Sequence, residues 1–277
     1  MDPAMSLSVL APAKLNLFLH VLGRRADGYH RLQTLFQLID LCDEVQLQVT
    51  ADGVISRDPP PADPVLAALS DADDLTVRAA RLLQAHSGCR LGVRIHVLKR
   101  IPAGGGLGGG SSDAAAVLRG LNQAWSLQLP LPELAALGLQ LGADVPVFVY
   151  GRNAWAEGLG EQLTPVALPP RWYVVLRPPV AVPTAAVFGA AELTRDTPPI
   201  TMIDYHAGRS HNDCEPVVCS RYPQVAAALD WLGQYAPARL TGTGSCVFAA
   251  FATEAQARQV AGRVPAGSLA WAVQGLV

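Results

Sequence analysis

The stretch Gly104-Gly-Gly-Leu-Gly-Gly-Gly110 places six glycines in seven positions, directly ahead of Ser111, Ser112 and an alanine run that continues only as helix. Bare backbone leading into a helix is a phosphate cradle. Glycine reaches positive φ, has no Cβ to hold a ligand away, and the orphan N–H groups and dipole of the helix attract an anion. So many glycines carry an entropic cost that a plain turn does not require. Ser111 and Ser112 can cap the helix and also bond phosphate, and Asp113 reads as a first-turn acid favoured by the dipole. Lys14 and Asn16 stand two apart in an apolar run and so project from one face of a strand. A lysine there either carries its ammonium to solvent or faces a carboxylate.

Three cheaper readings of the glycine run fail. Gly104, Gly106 and Gly109 satisfy the G-x-G-x-x-G dinucleotide pattern, but the acid in the expected window, Glu133, opens a helix instead of ending a second strand. A Walker A loop needs Lys after its last glycine, and Gly110 is followed by Ser111 and Ser112. A flexible linker is disfavoured because the flanks are ordered: Leu91 to Leu98 alternates as a strand and Ala114 to Trp125 repeats as a helix. A nucleotide triphosphate would be held by backbone and hydroxyls, with a cation from elsewhere.

The elements that must position these residues come from an ordinary globular chain. It has 277 residues, 50% hydrophobic, with a formal net charge of −2. That length accommodates two domains, and without a basic stripe a nucleic acid is not an expected partner. The five cysteines (Cys42, Cys89, Cys214, Cys219, Cys246) are odd in number and widely spaced, as expected of reduced thiols in the cytoplasm. No apolar run reaches the roughly 18 residues that would cross a bilayer, so no membrane partner is expected. Residues Met1 to Met5 look like a cloning scar.

Leu7–Leu10 and Leu15–Leu22 read as strands, followed by Phe36–Asp40 and Val45–Val49, with polar turns at Asp27-Gly28 and Cys42-Asp43. A Pro/Asp-rich connection covers Asp52–Pro64, and a helix follows behind an Asp74 N-cap. Leu131–Leu141 is predicted as helix, stopped by Gly142, and Val145–Tyr150 begins a buried element. Ala154–Glu157 and Gln162–Pro165 form a hairpin across Gly158 and Gly160. The chain changes domain near Pro165, Pro169 and Pro170, dividing into residues 1–163 and 164–277. Beyond it lie a strand Trp172–Leu176, a helix Thr184–Leu193, a linker Arg195–Arg209 and a helix opened by an Asn212/Glu215 capping box. A helix Val225–Leu232, a strand Ser245–Phe251, a helix Glu254–Arg263 and a strand Trp271–Val273 complete the pattern, an α+β chain of two α/β sandwiches.

Four stretches together resemble the GHMP small-molecule kinases: Ala11-Pro-Ala-Lys-Leu-Asn16-Leu, Ala26-Asp-Gly-Tyr-His30, the glycine loop with Leu141-Gly-Ala-Asp-Val-Pro-Val-Phe148, and Leu240-Thr-Gly-Thr-Gly-Ser245. The resemblance runs from about Ser8 to the C-terminus. It implies a ribosomal-protein-S5-domain-2-like ATP domain, a ferredoxin-like C-terminal domain and an active site in the cleft between them. The particular motifs are similar to the branch that moves the γ-phosphoryl of ATP onto a tertiary hydroxyl of a cytidine-diphosphate-linked branched polyol.

Phosphoryl transfer asks for in-line positioning, neutralised charge and a place for the hydroxyl proton. By match to the family's motifs, Asp144 accepts that proton and Lys14 is its cationic neighbour, whereas on spacing alone Asp144 is equally a turn or N-cap residue. The resemblance assigns ATP to Lys99, Pro102, Gly104, Gly105, Gly106, Leu107, Gly108, Gly109, Gly110, Ser111 and Ser112. It assigns the substrate to Asn16, Tyr29, His30, Asp144, Thr184, Phe188, Thr241 and Gly242. Tyr29 and His30 would hold a cytosine, with Phe188 completing an aromatic sandwich. A solvated strand-end lysine is an equal reading of Lys99. ATP chemistry implies Mg²⁺, yet no carboxylate pair has convincing ligand spacing. This chain carries Asp74 where the family commonly has Asn near the adenine. The expected assembly is a monomer or weak homodimer. A kinase for a sugar, homoserine or mevalonate-type substrate, or a non-catalytic nucleotide-binding protein of the same fold, would lack a use for the base sandwich or for Lys14 and Asp144.

Overall fold

The computed structural model describes residues 6–26, 28–58 and 70–277. The leader Met1–Met5, Asp27 of the Asp-Gly turn and most of the Pro/Asp-rich connection lie outside the described residues. The chain divides into two compact units that interleave along the sequence: Met1–Ala13, Leu41–Ala103 and Gly108–Gly151 in the first; Lys14–Asp40, Gly104–Leu107 and Arg152–Val277 in the second.

The first unit holds the start of β1 (Ser6–Arg24), the end of β2 (His30–Thr50), β3 (Ile55–Arg57) and β4 (Gly92–Leu98). Its helices are α1 (Leu75–Ser87), α2 (Gly109–Ala124), α3 (Leu131–Leu139) and α4 (Val145–Tyr150). β4 pairs antiparallel with β2, Leu47 opposite Ile95, and parallel with β3, Ile55 opposite Val93. Leu47, Leu83, Ile95, Leu118 and Leu121 are fully buried, which marks the core between sheet and helices. Gly120 sets the approach of α2 to the sheet, because a Cβ there would lie 2.5 Å from Leu47 Cδ1.

In the second unit the early part of β2 pairs with β5 (Ala154–Glu157), Leu35 opposite Trp155, and β5 pairs with β6 (Gln162–Pro165) as the expected hairpin. A separate antiparallel sheet runs β10-β7-β9-β8, built from β7 (Trp172–Arg177), β8 (Ala238–Leu240), β9 (Val247–Phe251) and β10 (Leu269–Gln274). The helices are α5 (Thr184–Phe188), α6 (Met202–His206), α7 (Cys214–Arg221), α8 (Pro223–Gly233) and α9 (Glu254–Ala261). Val174, Leu176, Val247, Ala249 and Phe251 alternate along their strands and share one core with Val218, Val225, Leu232, Ala257 and Val260 from the helices.

Several expected boundaries move. The four opening strands are two long ones, and Cys42-Asp43 is strand, not turn. Asp43 is fully buried there, and its carboxylate accepts the N–H groups of Arg100 at 2.5 Å and Ile101 at 2.8 Å. A polar residue therefore stays in a strand because its partners come from elsewhere. The helix from Thr184 stops at Phe188, since Arg195 takes its C-terminal carbonyls. The linker contains α6, opened by a Thr201/Asp204 capping box. The expected Asn212/Glu215 box does not form: Glu215 accepts the Leu240 N–H at 2.8 Å, and Asn212 Nδ2 donates to the Leu240 and Gly242 carbonyls at 2.9 and 2.8 Å. β3 and β8, each three residues long, carry too short a pattern to be read from sequence.

The Asp74 cap forms as expected and does more. Oδ1 accepts the N–H groups of Thr76 at 2.8 Å and Val77 at 3.3 Å, while Oδ2 binds Arg57 Nη1 at 2.6 Å. An Asn could cap but could not carry the ion pair. Asp74→Ala is expected to lower stability by about 1–2 kcal/mol and Asp74→Asn by less than about 1 kcal/mol in denaturant titrations. Equal losses would place the stabilisation outside the cap.

Candidate functional site

The glycine loop is organised by where its carbonyls go. Gly104 O accepts from Ser245 N–H at 3.4 Å, Gly105 O from Cys246 N–H at 3.2 Å, and Leu107 O from Lys14 N–H at 3.0 Å. Gly106 O accepts from Lys14 Nζ at 2.9 Å and from the Thr241 hydroxyl at 3.4 Å. Four consecutive carbonyls thus face protein. Because a planar trans peptide points each carbonyl opposite to the next N–H, the amides that follow are turned away. Among the described residues no acceptor takes the N–H groups of Gly105 through Gly108. They are the loop's available polar surface, and buried amides left without an acceptor are rare.

Backbone shape follows from the same contacts. Gly104, Gly106 and Gly108 have φ of 68°, 74° and 72°. At Gly106 a Cβ would lie 2.2 Å from Thr241 O, so the loop and the second glycine turn, Thr241 to Gly244, touch backbone to backbone. Leu107, expected at the nucleotide, has its side chain buried in the core.

Beside this seam in the second unit lies a buried polar chain. Lys14 Nζ donates to Asn16 Oδ1 and lies 5.6 Å from the Phe36 ring centroid, a cation–π distance. Asn16 Nδ2 donates to Thr34 Oγ1 at 2.9 Å, and Thr34 donates on to Phe18 O. Asn16 N–H donates to Thr241 Oγ1 at 3.0 Å. Each hydroxyl accepts once and donates once, so the chain is satisfied and its members fix one another's orientation. Lys14, Asn16, Thr241 and Gly242 are thereby brought together. Thr184 joins their turn from α5, its hydroxyl 3.0 Å from that of Thr243.

In the same unit His30 and Phe188 stack on each other, ring centroids 5.2 Å apart and 24° from coplanar. That separation leaves no space for a base between these two rings, so a sandwich with Phe188 requires Tyr29 as the other plate. Tyr29 is 64% exposed. Burial and the charges of Arg195 and Arg24 hold the His30 imidazole below its ordinary pKa.

In the first unit, α2 starts behind Gly108 with no side-chain cap, leaving the N–H groups of Gly109, Gly110 and Ser111 as first-turn donors. Ser112 does not cap the helix as expected: its hydroxyl is buried and donates to Pro12 O at 2.7 Å. Ser111 stays near the Asp144 turn, with its Oγ 3.7 Å from where a Gly142 Cβ would stand. Asp144 precedes α4 in αR conformation and makes no side-chain cap, so the N-cap role open to it from sequence is not the one it takes.

Lys99 was expected beside the nucleotide. Its ammonium instead lies between Asp43 and Asp113, 2.7 Å from Asp113 Oδ2, although it is also close to Gly109, where a Cβ would come within 3.4 Å. Asp113 is therefore a buried ion-pair partner, not only a first-turn acid. Burial raises its carboxyl to about 7, with Lys99 opposing and Asp43 reinforcing the shift. Sequence reasoning missed Asp43, Thr34, Asn212 and Arg195. None of them carries a distinguishing local signal: Asp43 is flanked by Asp40 and Glu44, and the partners of the others are distant in sequence.

Two predictions follow from this geometry. Gly104→Ala meets open space and is expected to cost only the left-handed strain of about 1–2 kcal/mol, whereas Gly106→Ala should cost more than about 4 kcal/mol in equilibrium unfolding. Similar costs would refute the backbone-to-backbone seam. Asp113 has a folded pKa above its unfolded 3.8, so its contribution to stability is complete below 3.8 and is lost as pH rises through about 7. Unfolding free energy should fall between about pH 4 and pH 7 and level off above, and Asp113→Asn should flatten that slope.

Residues 74–152 match the family described as GHMP kinases N terminal domain, and residues 203–267 match GHMP kinases C terminal. The 4-diphosphocytidyl-2-C-methyl-D-erythritol kinase of Aromatoleum aromaticum is 56% identical, covering 94% of this chain and 90% of the relative. The protein of that name from Thiobacillus denitrificans is also 56% identical, over 98% of this chain and 96% of the relative. A crystal structure of 4-(cytidine 5'-diphospho)-2C-methyl-D-erythritol kinase superimposes with a TM-score of 0.81 at 35% identity, covering 98% of this chain and 100% of the other. The Methanococcus jannaschii mevalonate kinase, at 15% identity and a TM-score of 0.69 with 100% and 99% coverage, shares the fold.

Proposed function

The chain belongs to the 4-diphosphocytidyl-2-C-methyl-D-erythritol kinase family of GHMP kinases, and from that premise we propose how its own residues carry the reaction. The γ-phosphoryl of ATP passes to the 2-hydroxyl of 4-diphosphocytidyl-2-C-methyl-D-erythritol, giving the 2-phosphate and ADP, a step of non-mevalonate isoprenoid biosynthesis. The observation that carries this reading is the inward tethering of four successive loop carbonyls, which commits the intervening amides to an anionic ligand.

In this reading the amides of Gly105 to Gly108 and the first turn of α2, Gly109 to Ser111, bind the ATP phosphates. Lys14 offsets negative charge on the attacking oxygen and the transferring phosphoryl, and Asn16 holds its ammonium in place. Asp144 accepts the hydroxyl proton. Tyr29 and Phe188 stack on the cytosine faces, contributing about 1–3 kcal/mol per ring, and His30 reads the base edge. Thr184, Thr241 and Gly242 line the substrate. Lys99, held between Asp43 and Asp113, acts on the nucleotide through the helix α2 that it fastens.

Among the described residues no group of three or more His, Cys, Asp or Glu side chains could hold a metal ion, and ATP chemistry calls for Mg²⁺. The ion accompanies the phosphates of ATP. Residues 1–163 serve as the nucleotide domain and 164–277 as the substrate domain. No helix among the described residues is long and apolar enough to cross a membrane. The reading carries with it a cytoplasmic monomer or weak homodimer acting on a small molecule.

Purified protein with ATP and the cytidyl substrate, mevalonate or homoserine in parallel is expected to turn over only the first. Turnover of mevalonate or homoserine alone would overturn the assignment. Asp144→Asn is expected to lower kcat at least about 100-fold with little change in KM. A near-normal kcat would remove Asp144 from proton transfer.

A further inference from the structure

Arg195 lies in a segment that the sequence marks only as linker, yet four of its N–H bonds are spent, three of them within seven residues. Nη2 donates to Phe188 O at 2.9 Å and to Ala190 O at 2.6 Å, Nη1 donates to Leu193 O at 3.0 Å, and Nε donates to His30 Nε2 at 3.1 Å. The first three close the end of α5 and fix the turn that follows. The fourth reaches a different element, the start of β2.

A guanidinium never accepts a hydrogen bond, and its pKa keeps it charged throughout the working range. Nε2 of His30 must therefore be the acceptor, which leaves the ring's one proton on Nδ1. In water the neutral imidazole is free to choose either nitrogen; here one contact chooses for it. The charged groups that face His30 are Arg195, from the segment after α5, and Arg24, from the end of β1. Both disfavour imidazolium. The ring is consequently a neutral group whose other nitrogen is a hydrogen-bond donor, stacked on Phe188.

We propose that Arg195 is a positioning residue for base recognition: its guanidinium fixes the His30 tautomer, presenting Nδ1–H to an acceptor on the pyrimidine edge, and clamps the Phe188 end of α5 against the same ring. The inference rests on the placement of cytosine at Tyr29, His30 and Phe188. Cytosine supplies such acceptors at its carbonyl oxygen and unprotonated ring nitrogen. A guanidinium that also carried the Phe188 carbonyl would couple the stacking plate to the edge reader, so loss of Arg195 acts on binding and leaves the transfer step alone.

The test uses the full-length protein and two variants. Arg195→Met removes the donor at similar length; Arg195→Lys keeps a charge and one donor to Nε2 but cannot hold the Phe188, Ala190 and Leu193 carbonyls together. Nitrogen NMR of labelled histidine should report Nδ1–H in the wild type and in Arg195→Lys, and a mixture in Arg195→Met. KM for the cytidyl substrate should rise at least about 10-fold in Arg195→Met, with kcat within about 2-fold of wild type.

The pH dependence has opposite signs. Protonating wild-type His30 sets a cation against Arg195, so the affinity for cytidine 5'-diphosphate should weaken at acid pH. In Arg195→Met, protonation through the ordinary value near 6.5 restores an N–H on Nδ1, and the affinity should improve. An unchanged His30 tautomer in Arg195→Met, or parallel pH profiles for the two proteins, overturns the proposal. Failure of the underlying base placement looks different: His30→Ala would then bind cytidine 5'-diphosphate as tightly as wild type, while the nitrogen shifts would still respond to Arg195→Met.

Discussion

Backbone carbonyls must find donors, and in this protein the glycine loop finds them on one side only. Ser245 and Cys246 take the first two, Lys14 and Thr241 the third, and the Lys14 amide the fourth. Everything the loop can offer a ligand is what remains after that allocation. The glycines follow from it: Gly106 has backbone oxygen at 2.2 Å from where a Cβ would stand, so the residue type is set by the neighbour and not by flexibility. Asn212 supports the arrangement one layer back by holding the Leu240 and Gly242 carbonyls, which fixes the turn against which the loop rests.

Two buried lysines show how differently the same side chain is stabilised. Lys99 sits between two carboxylates, an arrangement that fastens the end of β4 to α2 and leaves one acid, Asp113, inclined to keep its proton. Lys14 donates to an amide oxygen and a backbone carbonyl with an aromatic ring close by.

The parts legible in the sequence were those with a local cause. The glycine run, the Asp74 cap, the hairpin at Gly158 and Gly160 and the alternating apolar strands each depend on residues a few positions apart. Lys14 and Asn16 were placed on one face because the strand repeat is two. What escaped was long-range. Cys42-Asp43 looked like a turn because the amides that satisfy Asp43 belong to Arg100 and Ile101. Ser112 looked like a cap because Pro12, which takes its hydroxyl, lies a hundred positions earlier. Arg195 carried no pattern at all, since its importance lies in four acceptors that only the folded turn assembles. The direct stacking of His30 on Phe188 likewise needs the tertiary structure to be seen.

The strand bearing Lys14 is made first and completed last. Its amide at Asn16 awaits Thr241, 225 positions later, and the Val21 amide awaits Asp213, 192 positions later. At translation rates of roughly 5–20 residues per second, the ribosome needs on the order of ten to forty seconds to supply these partners. Until then the Asn16 and Val21 amides are without their native acceptors. The nascent chain therefore carries this strand in an unfinished state for almost the whole of synthesis, and completes it only as its C-terminal partners emerge.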